Sequence, residues 1–448
     1  MARSAIFARK ISAPSFDSAM ALSSWHAAAC LALVGGAAAL GTRPAPRELD
    51  RRTLLRVAST AAVCAQTAGA PDPALAAITK DADWPLWLAL PVFPYSRRKT
   101  IRREIRPGVW AFEQLLGIYY VQVPIRMTVI AMASGGLFVY APIAPTMECL
   151  DLLQPLIEAH GPVKTILLPT VAVEHKVNAG PFARAFPNAD FYVTDRQYSF
   201  PLPLPDAFLG LPRWTKPLPP SSDGGSVLGP DFDHDVLTVQ PGVASMYQDV
   251  AVVHKPSRTL LVCDALFSAS IEPPPLLTAE PEYVNALLFH ARDEPLELVP
   301  DTPANRRKGW RRIVLLFNFF IPGAASADVG LAPLRRLDAT YPLGWGGWQP
   351  FEWREEDEQT AFNAYIANGA PITYPIVQII LSRGDSGGAL RRWVDTVTRW
   401  DFDTIVPAHL DAPIAAGPRV FAKTFDYAAN TANEARRLCH GSATAPCT

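Results

Sequence analysis

Apolar runs broken by short polar turns set the pattern through the middle of this 448-residue chain. In "IYYVQVPIRMTVIAMASGGLFVYAP" two Val/Ile/Tyr-rich runs flank Ser134-Gly135-Gly136, which supplies the positive-φ positions of a tight hairpin turn. "TMECLDLLQPLIEAHG" has helical spacing, with Thr146 as N-cap, Glu148 in the first turn and Gly161 as the stop. "VKTILLPT" reads as a short buried strand, and "GPFARAFPNADFYVTD" as a helix running into another strand. A second strand cluster follows in "HDVLTVQPG" and "DVAVVHKPSRTLLVCDALF", with Pro256-Ser257-Arg258 turning the hairpin. Beyond it the chain turns helical and irregular between Ile271 and Pro371. That stretch includes "GWRRIVLLFNFFIPG", too short to span a bilayer, for which core packing is the simpler use and interfacial contact the alternative. "SGGALRRWVDTVTRW" is an amphipathic helix that feeds a last strand in "DFDTIVPAH". Strand and helix alternating at these spacings predict one layered α/β domain over residues 108–430. An arm over 77–107 precedes it and a tail over 431–448 follows.

Composition adds an address. The overall charge is -1, but residues 1–76 hold 8 Lys/Arg against 4 Asp/Glu, which leaves the body mildly acidic. That balance gives no electrostatic footprint for nucleic acid, and none is expected as a partner. The first stretch is Ala/Ser-rich, basic and nearly free of acids, the composition of an organelle transit peptide. Arg51-Arg52, a weakly apolar run and Ala74-Leu75-Ala76 then resemble a twin-arginine export signal. Together they predict the bipartite leader of a thylakoid-lumen protein, cut after Ala76. A single long transit peptide leaving a stromal protein is the alternative.

The arm is aromatic and Pro-rich and carries Arg97, Arg98, Lys99, Arg102, Arg103 and Arg106 against Glu104 alone. These cations suit peripheral contact with an anionic thylakoid lipid surface or an acidic protein complex. A solvated edge strand with alternating charges is the plainer alternative. Of the six cysteines, Cys30 and Cys64 fall in the leader, and Cys149 and Cys263 lie in apolar segments and read as buried thiols. Cys439 and Cys447 have the spacing of a small disulfide loop in an oxidising compartment.

Candidate chemistry sits at three strand ends: Glu174-His175 after "TILLPTVAV", Asp264 after "TLLVC", and His409 after "DTIVPA". Loops at the carboxyl ends of strands converge on one crevice in α/β sheets. Two histidines and one or two carboxylates there are a donor set for one divalent metal such as zinc, iron or manganese. Each also has a structural use: Glu174 in a helical first turn, His175 on a carbonyl, Asp264 as a cap, His409 in a satisfied core position. His160 and His254 read as structural.

The order of these motifs resembles the metallo-β-lactamase superfamily, which implies a four-layer αββα sandwich with an irregular insertion over about 271–371. Its H-x-H-x-D-H hallmark falls on "TVAVEH", so Thr170 and Ala172 occupy the first two histidine places, and Glu174 and His175 the D-H places. Asp264 matches the bridging aspartate, His409 matches the final histidine, and the intermediate histidine is missing near "PGVAS". A more extended resemblance, from about Pro94 to Phe425, is to the plastid and cyanobacterial family called domain of unknown function 4336. It is carried by "FPYSRRKTIRREIRPGVWAFEQLLGIYYVQVPIRMTV", "HKPSRTLLVCD" and "WDFDTIVPAHLDAPIAAGP". The resemblance implies a degenerate site that cannot form a standard dinuclear centre. Two functions follow as expectations: a noncatalytic binding or assembly scaffold near the thylakoid, or a single-metal hydrolase. In the hydrolase, His175, Asp264 and His409 hold the metal and Glu174 is the general base.

Three further features read as structural. "GDSGG" at Gly384–Gly388 matches a serine-protease string without the partners that chemistry needs, and reads as a turn and helix start. Arg126 inside a strand is expected to pair with a core carboxylate such as Glu113, with an anion ligand as the alternative. Trp345, Trp348 and Trp353 are expected to pack down their loop, with a ligand groove as the alternative.

Overall fold

The computed structural model describes residues 98–118, 121–197, 205–223, 225–242, 245–318, 323–327, 337–338, 340–343, 347–349, 351–366, 369–384 and 388–427. The leader, Arg97, Trp345, Cys439, Cys447 and the tail lie outside them.

Two sheets dominate these residues. The first has seven strands in spatial order β1 to β7: Ile101–Arg106, Val109–Ile118, Val121–Ala131, Leu137–Tyr140, Val163–Leu168, Asp190–Val193 and Lys216–Pro217. Its β1–β4 half is antiparallel, and its β4–β7 half is parallel. The second sheet comprises β8 (Phe232–Gly242), β9 (Ser245–His254), β10 (Thr259–Val262), β13 (Thr404–Pro407) and β14 (Ile414–Ala415), in spatial order β14-β13-β10-β9-β8. Here β10 and β13 are parallel, and the remaining pairs antiparallel.

The sheets pack face to face. Phe138, Tyr140 and Leu167 of the first meet Phe232, Val250, Leu261 and Val406 of the second in one buried cluster. Along β9 the side chains alternate: Val250 and Val252 face the other sheet, while Tyr247, Ala251 and Val253 face the opposite layer. That layer is helical, built from α3 (Pro281–Ala291), α4 (Pro303–Asn318), α6 (Pro375–Gly384), α7 (Ala389–Val397) and α8 (Pro418–Thr424). On the first sheet α2 (Val173–Ala185) packs against β5. Its neighbour α1 (Met147–His160) is tied to the sheet by the Lys99–Glu148 ion pair and by His160 against Trp110. Helix, sheet, sheet, helix is the four-layer α/β sandwich expected.

Local signals are met closely at α1. Thr146 accepts from Cys149 N, and Gly161 at φ 97 closes the helix with its N–H on Ile157 O. Gly135 and Gly136 take φ 75 and 87 in the β3–β4 turn, and Arg258 takes φ 51 in the β9–β10 hairpin. Residues 271–371 are more regular than expected, holding α3, α4, the β11 (Ala325–Ala327) and β12 (Phe351–Trp353) pair, and α5 (Glu355–Asn363). Trp310, Ile313, Val314 and Leu315 of α4 are fully buried in the sheet-two core, so "GWRRIVLLFNFFIPG" is core over its described part. Arg312 of the same helix is buried on Glu358 of α5.

The start of α2 differs from its sequence reading. The helix begins at Val173, seven residues before Gly180, and runs through Pro181. Glu174 and His175 therefore occupy its first turn. Gly180 is tolerated in mid-helix because the Gly210 carbonyl oxygen sits where a side chain would go, 2.1 Å from the place of a Cβ.

Candidate metal centre

Three strand ends meet at one edge of the sandwich. Parallel pairing sets Val262 of β10 beside Pro407 of β13, so Cys263-Asp264 and Ala408-His409 leave the second sheet together. From the first sheet β5 ends at Leu168, and the chain passes Thr170, which bridges Asp249 of β9, before α2 presents Glu174 and His175. The two sheets are thus joined at the point where the candidate residues collect.

The atoms converge closely. His175 Nε2 lies 3.0 Å from His409 Nε2, His409 Nε2 lies 3.2 Å from Asp264 Oδ1, and His175 Nε2 lies 3.7 Å from the same oxygen. Three atoms so spaced lie on a circle of radius about 1.9 Å, near the roughly 2.0–2.1 Å at which zinc binds nitrogen and oxygen. The hydrogen bonding also calls for a cation. His409 Nδ1 is 3.2 Å from Pro124 O, which can only accept, so Nδ1 carries the proton. Without a proton or a metal ion on Nε2, that nitrogen would turn a lone pair toward a carboxylate oxygen, and either cation relieves the arrangement. His175 is fully buried, and its Nδ1 has no hydrogen-bond partner.

Electrostatics agree with the geometry. Burial works to raise the Asp264 carboxyl, but hydrogen bonds and charge from His175 and His409 outweigh it and hold that carboxyl far below the usual range. For His175 burial favours the neutral ring, and Asp264 nevertheless moves its pKa above the ordinary value. Asp249 is raised by burial and by the Asp264 charge, against the pull of three backbone N–H donors.

A supporting shell fixes these groups. Thr170 Oγ1 donates to Asp264 Oδ2 at 3.0 Å, so the residue aligned with the first histidine place of the hallmark orients the Asp264 carboxylate. Ala172, in the second place, is the N-cap residue of α2 and makes no side-chain hydrogen bond. Asp249 accepts from Cys263 N at 3.0 Å, Asp264 N at 2.6 Å and Ala265 N at 2.7 Å. Phe317 of α4 packs on the His409 ring, with centroids 5.3 Å apart. Arg126 donates through Nε to Glu113 Oε1 at 2.8 Å, as expected, and through its two terminal nitrogens to Pro407 O and Leu410 O on either side of His409. Glu174 is partly exposed, and its carboxylate, Asp264 and His409 lie within 4.8 Å of one another.

The sequence pattern does not single out Asp249. Asp249 lay inside an apolar strand, its one signal being an acid on the face shared by Tyr247, Ala251 and Val253. Arg126 was read as half of an ion pair, without its hold on the His409 turn.

Other candidates fall away from this centre. His254 bonds Ser257 Oγ and stacks on Phe232. Trp353 packs under the Arg312 guanidinium, and the backbone carbonyl of Trp348 accepts from Arg292. Gly384 ends α6 and Gly388 precedes α7, so the "GDSGG" string joins two helices. The described cations of the basic arm have partners within the chain. Arg98 is buried on Leu115 O, Lys99 pairs with Glu148 and Arg103 with Glu113, and Arg102 reaches Leu152 O.

Comparison with known proteins gives the chain a family. Among solved structures the chain is similar to a flavoprotein from Thermotoga maritima (8% identity, 73% of this chain and 61% of that one, TM-score 0.37). It is also similar to a putative diflavin flavoprotein fragment from Nostoc sp. PCC 7120 (11%, 77% and 99%, 0.35). A third is the mono-zinc form of a metallo-β-lactamase from Pseudomonas aeruginosa (9%, 74% and 95%, 0.33). No curated protein matches the chain. A family model described as "Domain of unknown function (DUF4336)" matches residues 106–427, well over half of the sequence, and the chain belongs to that family.

Proposed function

We propose that this protein is a noncatalytic scaffold that binds a single divalent metal ion through His175, Asp264 and His409, with Glu174 at the rim of the site. The observation that carries the reading is the triangle of His175 Nε2, His409 Nε2 and Asp264 Oδ1, with sides of 3.0, 3.2 and 3.7 Å. A divalent ion bound there would supply Lewis acidity. Thr170 and Ala172 leave no donors for a second metal. The ligand residues are buried, and their supporting shell is anchored in both sheets, so the centre would pin the sheets together as structural metals do.

The partial exposure of Glu174 favours a second reading, a single-metal hydrolase. There His175, Asp264 and His409 would hold the ion and Glu174 would take a proton from an attacking water.

Metal analysis of the full chain refolded with zinc, iron or manganese tests the proposal. One ion per chain is expected, lost in Asp264→Ala and in His409→Ala, while Glu174→Gln retains it. A metal-free protein after all three refoldings would refute it. Hydrolysis of a generic ester or phosphodiester by the loaded protein, lost in Glu174→Gln, would shift the choice to the hydrolase.

The leader supports placing this scaffold in a plastid, in the lumen ahead of the stroma. Import into isolated chloroplasts followed by fractionation should give a product cut near Ala76 that is protease-protected inside thylakoids; a stromal product would remove the lumen assignment.

A further inference from the structure

We propose that Cys263 is the fourth donor of this centre, so that His175, Cys263, Asp264 and His409 form a closed set of two nitrogens, one sulfur and one oxygen that selects zinc. The inference rests on the metal-binding reading above and narrows which metal is held.

Position is the first support. A Cys263 ligand atom, a His175 ring nitrogen and an Asp264 carboxylate oxygen all lie within 4.8 Å of one another. Cys263 and His175 are both fully buried. The backbone holds the thiol there by the same device that holds Asp264, because Asp249 accepts from the N–H of both residues. Cys149 provides a contrast: it is equally buried, and it joins no such group among the described residues.

Chemistry supplies the selection. Zinc accepts sulfur, nitrogen and oxygen in a four-coordinate site, and four protein donors leave no position for a substrate. Manganese and magnesium prefer oxygen donors and gain little from a thiolate. On binding, the S–H bond breaks, its electron pair stays on sulfur to bind the ion, and the proton leaves to solvent. Zinc uptake therefore releases a proton that manganese uptake does not. The closed set also favours the noncatalytic role, since Glu174 is left outside it.

Cobalt(II) substitution of the refolded full chain tests this directly. Expected are one bound ion, an intense thiolate-to-cobalt charge-transfer band in the near ultraviolet, and loss of that band in Cys263→Ser. Zinc affinity should fall at least about tenfold in Cys263→Ser, with manganese affinity nearly unchanged. A parallel measurement needs no variant: in the wild-type protein partly unfolded by urea, zinc should protect one thiol from alkylation, identified as Cys263 by peptide mapping. Cobalt bound without the band, or Cys263→Ser binding zinc as tightly as wild type, overturns the inference and leaves the three-ligand site standing. Failure of the wild-type chain to bind any ion overturns both.

Discussion

Asp249→Ala is expected to cost roughly 3–5 kcal/mol of folding stability, because it strands three buried backbone N–H groups that each lose an acceptor worth about 1–3 kcal/mol. Those groups belong to Cys263, Asp264 and Ala265, and Asp249 satisfies all three from a fully buried position on the neighbouring strand. They lie just past the end of β10, where ladder pairing with β9 has stopped at Leu261. The side chain thus substitutes for the missing ladder and sets the direction in which Asp264 leaves the sheet. Asp249→Asn should cost less, about 1–2 kcal/mol: its carboxamide oxygen can serve the Oδ2 position with two N–H groups, while its NH2 faces the N–H of Cys263. Urea unfolding of the metal-free proteins orders the three as wild type, Asn, Ala. A loss below about 1 kcal/mol in Asp249→Ala would show that other acceptors or water replace the carboxylate. Metal affinity should fall in the same order, because Asp264 loses its fixed approach.

Much of the fold was legible because its signals are local. The cap residues of α1, the Gly135-Gly136 turn and the Arg258 turn each act within four or five residues of where they appear. The candidate ligands were legible for a related reason: each follows an apolar strand, and a polar residue at such a point stands out. What could not be read was their meeting. That depends on parallel pairing of β10 with β13 across some 140 residues, and on the Thr170–Asp249 bridge between sheets. Asp249 was hidden because its partners lie 14 to 16 residues away in a neighbouring strand, and no spacing rule links them. Gly180 and Pro181 gave the wrong start for α2, since both normally break helices. The close approach of Gly210 that makes glycine useful there is a tertiary fact. The pairing of the arm was hidden for the converse reason: its charges are clustered in sequence, while Glu148 and Glu113, which pair with Lys99 and Arg103, come from elsewhere.

Arg126→Met should destabilise the protein by about 3–5 kcal/mol, the usual cost of removing one partner from a buried ion pair. The guanidinium is 1% exposed and serves one carboxylate and the carbonyls of Pro407, His409 and Leu410, while the Arg126 backbone N–H donates to Ala408 O. It joins β3 of the first sheet to the β13 turn of the second, and His409 is the residue enclosed by the bonds. Arg103 also reaches Glu113, so part of the carboxylate's charge stays compensated and the loss should fall toward the lower figure. Arg126→Lys should recover little, because one ammonium cannot reproduce a planar fork that reaches four separate acceptors. The informative variant is the double substitution Arg126→Met with Glu113→Leu. Removing both charges should restore much of the stability, as apolar replacements of buried pairs commonly do. It cannot restore donors to Pro407 O and Leu410 O, so His409 should stay loosely held and zinc affinity should stay low. Urea unfolding and zinc titration of the four proteins separate the two roles. Stability and affinity recovering together in the double variant would make Arg126 an ion-pair residue only. Stability recovering alone would make it the residue that positions His409.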